Sequence, residues 1–129
     1  MAMQVALVSP ERILFEGEAD MVVGRTSDGE IAFLTGHAPF LGALGIGAVK
    51  IVATDGRQER AAVHGGFVEV RGNRVTILSD VAELASQIDL ERARAAAADA
   101  ERRLMTADDV ECEARLRRAH VRIAVATAT

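Results

Sequence analysis

Two patterns of apolar positions divide the chain near Ile88. Before it, apolar residues come in short runs separated by Gly, Asp-Gly or Gly-Asn; after it, they recur at spacings of three and four. The first pattern predicts strands at Met3–Val8, Ile13–Phe15, Asp20–Arg25, Glu30–Leu34, Ala48–Thr54, Arg57–Val63, Phe67–Val70, Val75–Leu78 and Val81–Ala85. Nine short strands fit a sandwich or a barrel. Asp28-Gly29, Asp55-Gly56 and Gly72-Asn73 stand where tight hairpins need residues that tolerate positive φ. Gly42-Ala43-Leu44-Gly45-Ile46-Gly47 lacks dinucleotide-binding spacing and reads as a turn between strands. Glu16, Glu18 and Asp20 alternate along a strand and read as its solvated face.

The second pattern predicts two antiparallel helices. Asp89 is placed to cap the first, in which Leu90, Ala93, Ala97, Ala100 and Leu104 share a face. Thr106 and Asp109 suggest a capping box for the second, which runs from acidic Asp108, Asp109, Glu111 and Glu113 to basic Arg115, Arg117, Arg118 and Arg122. The contact stripe is largely alanine. A buried methylene-sized group stabilises by about 0.8 kcal/mol, against about 1.5–3 for a large aliphatic side chain, so the hairpin is expected to dock weakly. Alanine's helix propensity lets it stay helical when undocked.

Composition sharpens the division. All eleven glycines and both prolines precede Ile88, and residues 1–88 carry seven basic and eleven acidic side chains against eight of each in 89–129. The net charge of −4 therefore belongs to the first part. That charge, and a 3% aromatic content without Trp or Tyr, disfavour nucleic-acid binding. The single Cys112 forbids an internal disulfide and fits a reducing compartment. No apolar run approaches the roughly 18–20 residues that span a bilayer, so no membrane insertion is expected.

Catalytic chemistry finds no foothold. The one lysine, Lys50, falls in a strand, not after a Gly-rich phosphate loop, and His37, His64 and His120 show no metal-ligand spacing. Two segments carry more. Gly36-His37-Ala38-Pro39-Phe40 is either a contact surface presenting an imidazole or a rigid turn. Ile88-Asp89-Leu90-Glu91-Arg92-Ala93 reads either as a helix start able to hold a polyphosphate or as an N-cap beside a solvated arginine.

Four blocks together resemble the epsilon subunits of bacterial rotary proton-translocating ATP synthases. They are Val8-Ser9-Pro10-Glu11 with Phe15-Glu16-Gly17; Gly29-Glu30-Ile31-Ala32 leading into Gly36-His37-Ala38-Pro39; Gly65-Gly66-Phe67-Val68-Glu69-Val70 with Val75-Thr76-Ile77-Leu78; and Ala82-Glu83 with Ile88-Asp89-x-x-Arg92-Ala93. The resemblance implies an N-terminal all-β flattened sandwich of about ten strands over residues 1–86 and a C-terminal antiparallel two-helix hairpin over 87–129. It implies a central-stalk subunit with no catalytic site of its own, peripheral on the cytoplasmic side of the bacterial membrane. Its sandwich would meet the gamma subunit and the c-subunit ring, with Glu30 and His37 facing the ring. Its hairpin would extend into the alpha/beta catalytic head to inhibit hydrolysis. No cofactor is implied; ATP is implied as a regulatory ligand at Glu83, Ile88, Asp89, Arg92, Ala93, Arg118 and Arg122. Asp99 stands at a position basic in nucleotide-binding members, which would set a like charge near a phosphate, and Thr35 stands where proline is usual. The residues alone also allow a free-standing ATP-sensing module whose helical hairpin closes on nucleotide.

Overall fold

The computed structural model describes residues 2–128. Its strands are β1 (Met3–Val8), β2 (Ile13–Thr26), β3 (Gly29–Leu34), β4 (Phe40–Ala53), β5 (Gln58–Arg71), β6 (Arg74–Leu78) and β7 (Ala82–Leu84). A 3-10 turn (Ala85–Gln87) leads to helices α1 (Leu90–Leu104) and α2 (Val110–Thr127). The sheet order is β1-β6-β5-β4-β2-β3, and β1 also pairs with β2, so five strands close on themselves. Closure satisfies backbone donors that an open edge would leave bare. β3 extends the sheet beyond β2, and β7 pairs with β5.

There are seven strands among the described residues, not nine or ten, because glycines that read as breaks lie inside long strands. Ile13–Phe15 and Asp20–Arg25 merge into β2, and Arg57–Val63 and Phe67–Val70 merge into β5. The run Gly42–Gly47 is part of β4, not a turn. β4 and β5 pair from Phe40↔Val70 to Val52↔Gln58, and the continuous ladder outweighs the local cost of glycine. Gly66 shows why glycine is needed mid-strand. Its φ is +138°, and a Cβ there would lie 2.1 Å from the Leu78 carbonyl oxygen. At this bend β5 passes from β7, paired through Ala61–Val63, to β6, paired from Phe67 onward.

The three hairpin signals are borne out as turns. Gly72 and Asn73 have φ of 56° and 59°, the paired positive values that a two-residue hairpin uses, and join Arg71 to Arg74. Alternation along β2 holds too: Glu16, Glu18 and Asp20 are exposed while Ala19 is buried. The core is built from Met3, Val5, Leu7, Val22, Phe33, Ile51, Val63, Ile77 and their neighbours, all on strands.

Asp89 caps α1, its carboxylate accepting from the Arg92 amide at 3.1 Å. The second cap differs from expectation. Asp109 is itself the N-cap of α2, accepting from the Cys112 amide at 3.1 Å, while the Thr106 hydroxyl donates to the Arg103 carbonyl. Thr106 thus closes the end of α1, because the loop runs three residues longer than a capping box permits. α1 buries Ala93, Ala97 and Ala100, and α2 buries Cys112, Ala119 and Val125. The Cys112 thiol donates to the Ala100 carbonyl at 3.4 Å across the seam. α2 is the helix that lies on β4 and β5. No helical residue belongs to the main core cluster, so α2 packs on the sheet outside that core. Among the described residues no helix is long and apolar enough to cross a membrane.

Candidate functional site

A cleft of about 340 Å³ opens where the 3-10 turn, both helices and β7 converge. Its lining is Glu83, Gln87, Asp89, Arg92, Ala93, Ala96, Arg115, Arg118 and Arg122. Six of the seven residues singled out from the sequence for a nucleotide are thus brought together, across a separation of up to 39 positions. Ile88 is the exception. It ends the 3-10 turn, half-buried, and does not line the cleft. Gln87, Ala96 and Arg115 were not singled out. Arg115 carried a legible signal, since it precedes Arg118 by three residues and so shares its helix face.

The electrostatics favour an anion. Four guanidiniums face two carboxylates, and one of those carboxylates is committed as the cap of α1. Arg118 pairs with Glu111 at 3.0 Å, and Arg122 donates through Nε to Glu83 Oε1 at 2.5 Å. Among the described residues Arg92 and Arg115 have no ion-pair partner. Arg92, in the first turn of α1, and Arg115, on α2, thus leave two guanidiniums in the lining without a carboxylate partner. Asp99 lies outside the lining and is held by Arg102 and Arg103, each at 3.3 Å, so it sets no like charge in the cleft.

Glu83 links sheet and hairpin. Its Oε1 accepts from Arg122 on α2 and also lies 3.2 Å from His64 Nε2 on β5. The His64 side chain is 3% exposed, and its Nδ1 has no hydrogen-bond partner. Burial, reinforced by the positive charge of Arg122, pushes the His64 pKa below its ordinary value, against the opposing pull of Glu83.

The second candidate pair is not brought together. Glu30 is the second residue of β3, exposed, and His37 lies beyond the other end of that strand, its amide donating to the Leu34 carbonyl. The His37 ring stacks edge-on to Phe33 at 5.0 Å, and its Nδ1 lies 2.6 Å from the Ala38 carbonyl oxygen, so the loop is ordered by its own contacts. Asn73 Oδ1 accepts from the Gly36 amide and ties this loop to the β5–β6 turn.

Comparison with known proteins places this architecture. The sequence pattern of the ATP synthase delta/epsilon chain beta-sandwich domain matches residues 2–85. The ATP synthase epsilon chain of Thermobifida fusca is 49% identical over 127 residues, covering 96% of this chain and 91% of that protein. The chain belongs to the ATP synthase epsilon chain family. The epsilon chain of Shouchella clausii is 41% identical over 95% of this chain and 93% of its own length. A chain in the Euglena gracilis mitochondrial ATP synthase, solved as OSCP/F1/c-ring, shares the fold with a TM-score of 0.83 over 92% of this chain and 78% of its own, at 21% identity. This epsilon-family chain is therefore a subunit of the rotary ATP synthase, and the cleft is a feature of that subunit.

Proposed function

We propose that this subunit couples rotation in the central stalk and carries a nucleotide-sensitive brake in its hairpin. The observation that carries the brake is the cleft, whose walls come from β7, α1 and α2 and exist together only while the hairpin is docked. A ligand that binds only the docked form stabilises it by RT ln(1 + [L]/Kd), about 2.7 kcal/mol at a hundredfold excess over Kd. That is comparable with burying one large aliphatic side chain, about 1.5–3 kcal/mol, so ATP would shift the docked population. Undocked, the hairpin would reach the alpha/beta head and block hydrolysis.

The regions at 1–86 and 87–129 act as coupling body and regulatory arm in this reading. Leu41, Phe67 and Leu78 are exposed by 71%, 58% and 52%. Phe67 pairs with both Ala43 and Leu78, so an apolar stripe crosses β4, β5 and β6 on one face. Such a stripe suits the gamma subunit, and the His37 loop and Glu30 supply polar contacts for the c-ring, with the subunit peripheral on the cytoplasmic side.

Calorimetry with ATP on the wild type and on Arg92→Ala tests the ligand. A charge-assisted contact contributes about 1.5–3 kcal/mol, so the variant should bind about 10- to 150-fold more weakly. No heat of binding at millimolar ATP would remove ATP sensing. Hydrolysis by the catalytic head with the whole chain, and with a chain shortened after Ile88, tests the brake; equal inhibition by both would sink it.

A further inference from the structure

His64 is used by neither the cleft nor the stalk contacts, yet it is among the most enclosed polar side chains described. It projects from β5 beneath α2, with Nε2 toward Glu83 Oε1 and Nδ1 toward no partner. A carboxylate only accepts, so the neutral ring must donate from Nε2 and keep its lone pair on Nδ1. That buried lone pair is where a proton from solvent would add. The charged groups that act on it are Glu83 from β7 and Arg118 and Arg122 from α2; Ile46, opposite on β4, is apolar. Asp89 and Arg92 of α1 stand farther off across the cleft.

Protonation in the docked state creates a buried N–H without an acceptor and a third cation beside Arg118 and Arg122, with Glu83 already engaged by Arg122. Undocking removes both arginines and admits water to Nδ1, while Glu83 stays on the sheet. The proton therefore prefers the undocked form.

We infer that His64 makes hairpin docking sensitive to pH, so that acid releases the hairpin from the sandwich. The inference deepens the switch reading and rests on its premise that the hairpin opens, but it needs no nucleotide. The sign follows from linkage. The folded pKa of His64 lies below its ordinary value near 6.5, so docking is at full strength above pH 6.5. It weakens as the pH falls through the window between 6.5 and the lowered value. Each unit of lowering makes docking about tenfold weaker once both forms are protonated.

Amide hydrogen exchange on the full-length chain without nucleotide, from pH 7.5 to 5.5, tests this against His64→Gln. The variant retains an amide donor toward Glu83 but cannot titrate, and the α2 sequence is unchanged, so intrinsic exchange rates cancel in the ratio. Protection of α2, normalised to β2, should fall with acid in the wild type, by up to about tenfold per unit of lowering, and stay level in the variant. Parallel courses in both proteins would overturn the inference. If the variant misfolds, NMR titration of the wild-type His64 ring decides: a pKa clearly under 6.5 supports the linkage, and one at or above 6.5 overturns it. A second exchange series with millimolar ATP reports on nucleotide binding separately, so either idea can fail without the other.

Discussion

Replacing Glu83 by Gln tests how the hairpin is attached. The substitution keeps shape and volume but removes the charge from an oxygen shared by Arg122 on α2 and His64 on β5. Glu83 and Arg122 are 28% and 29% exposed at the side chain, between the two regimes for which magnitudes are established. Exposed pairs contribute about 0.2–1 kcal/mol, and breaking a fully buried pair costs about 3–5. Docking should therefore weaken by about 1.5–3 kcal/mol, a factor of about 10 to 150. The loss should be local, because no helical residue joins the strand core. Exchange protection in α2 should drop by that factor while β2 and β5 keep theirs. Unchanged α2 protection would mean that the packing of α2 on β4 and β5, not the ion pair, holds the hairpin. Equal losses in α2 and β2 would mean that hairpin and sheet unfold as one unit, which the separate cores argue against.

Three further outcomes follow from particular contacts. Gly66→Ala sets a Cβ 2.1 Å from the Leu78 carbonyl at a φ of +138°, so it should destabilise the sheet by about 3 kcal/mol or more, read as a lower urea midpoint. Asn73→Ala keeps the left-handed φ of 59° without a side chain suited to it and removes the acceptor for the Gly36 amide; about 1–2 kcal/mol should be lost, and an unchanged midpoint would contradict the turn's role. Phe67→Ser, on the exposed stripe, should leave stability within about 0.5 kcal/mol of wild type while weakening co-purification with the gamma subunit; a lost fold, or undiminished association, would count against that surface.

The three hairpin turns, the cap at Asp89, the alanine face of α1 and the solvated face of β2 were all readable locally. Each depends on neighbours within a few positions: one or two residues with positive φ, one carboxylate three residues before an amide, one helical or extended period. Strand number was not readable that way. Glycines at 42, 45, 47, 65 and 66 weaken strand propensity, but whether a weak point becomes a turn or a bend depends on the partner strand, and β4 and β5 pair along almost their whole length. Thr106 misled for a related reason, since Thr106 and Asp109 both suit a cap and only the loop geometry decides which one is used.

The candidate cleft was legible in part through family resemblance, which supplied Glu83, Asp89, Arg92, Ala93, Arg118 and Arg122. Arg115 joins them because the packing of α1 on α2 carries one helix face to the end of β7, and Gln87 because the 3-10 turn leads from β7 to α1. Asp99 shows the converse, a residue of the same helix turned toward Arg102 and Arg103.

By itself the sequence determined that a glycine-bearing β region holding all the net charge precedes an alanine-rich, charge-balanced pair of helices, because period and composition are local quantities. Only the tertiary structure decided that the sheet closes through β1 and that Glu83 is shared between a buried histidine and a helix arginine. Those contacts join residues far apart in the chain, where burial and geometry, not propensity, set the energy.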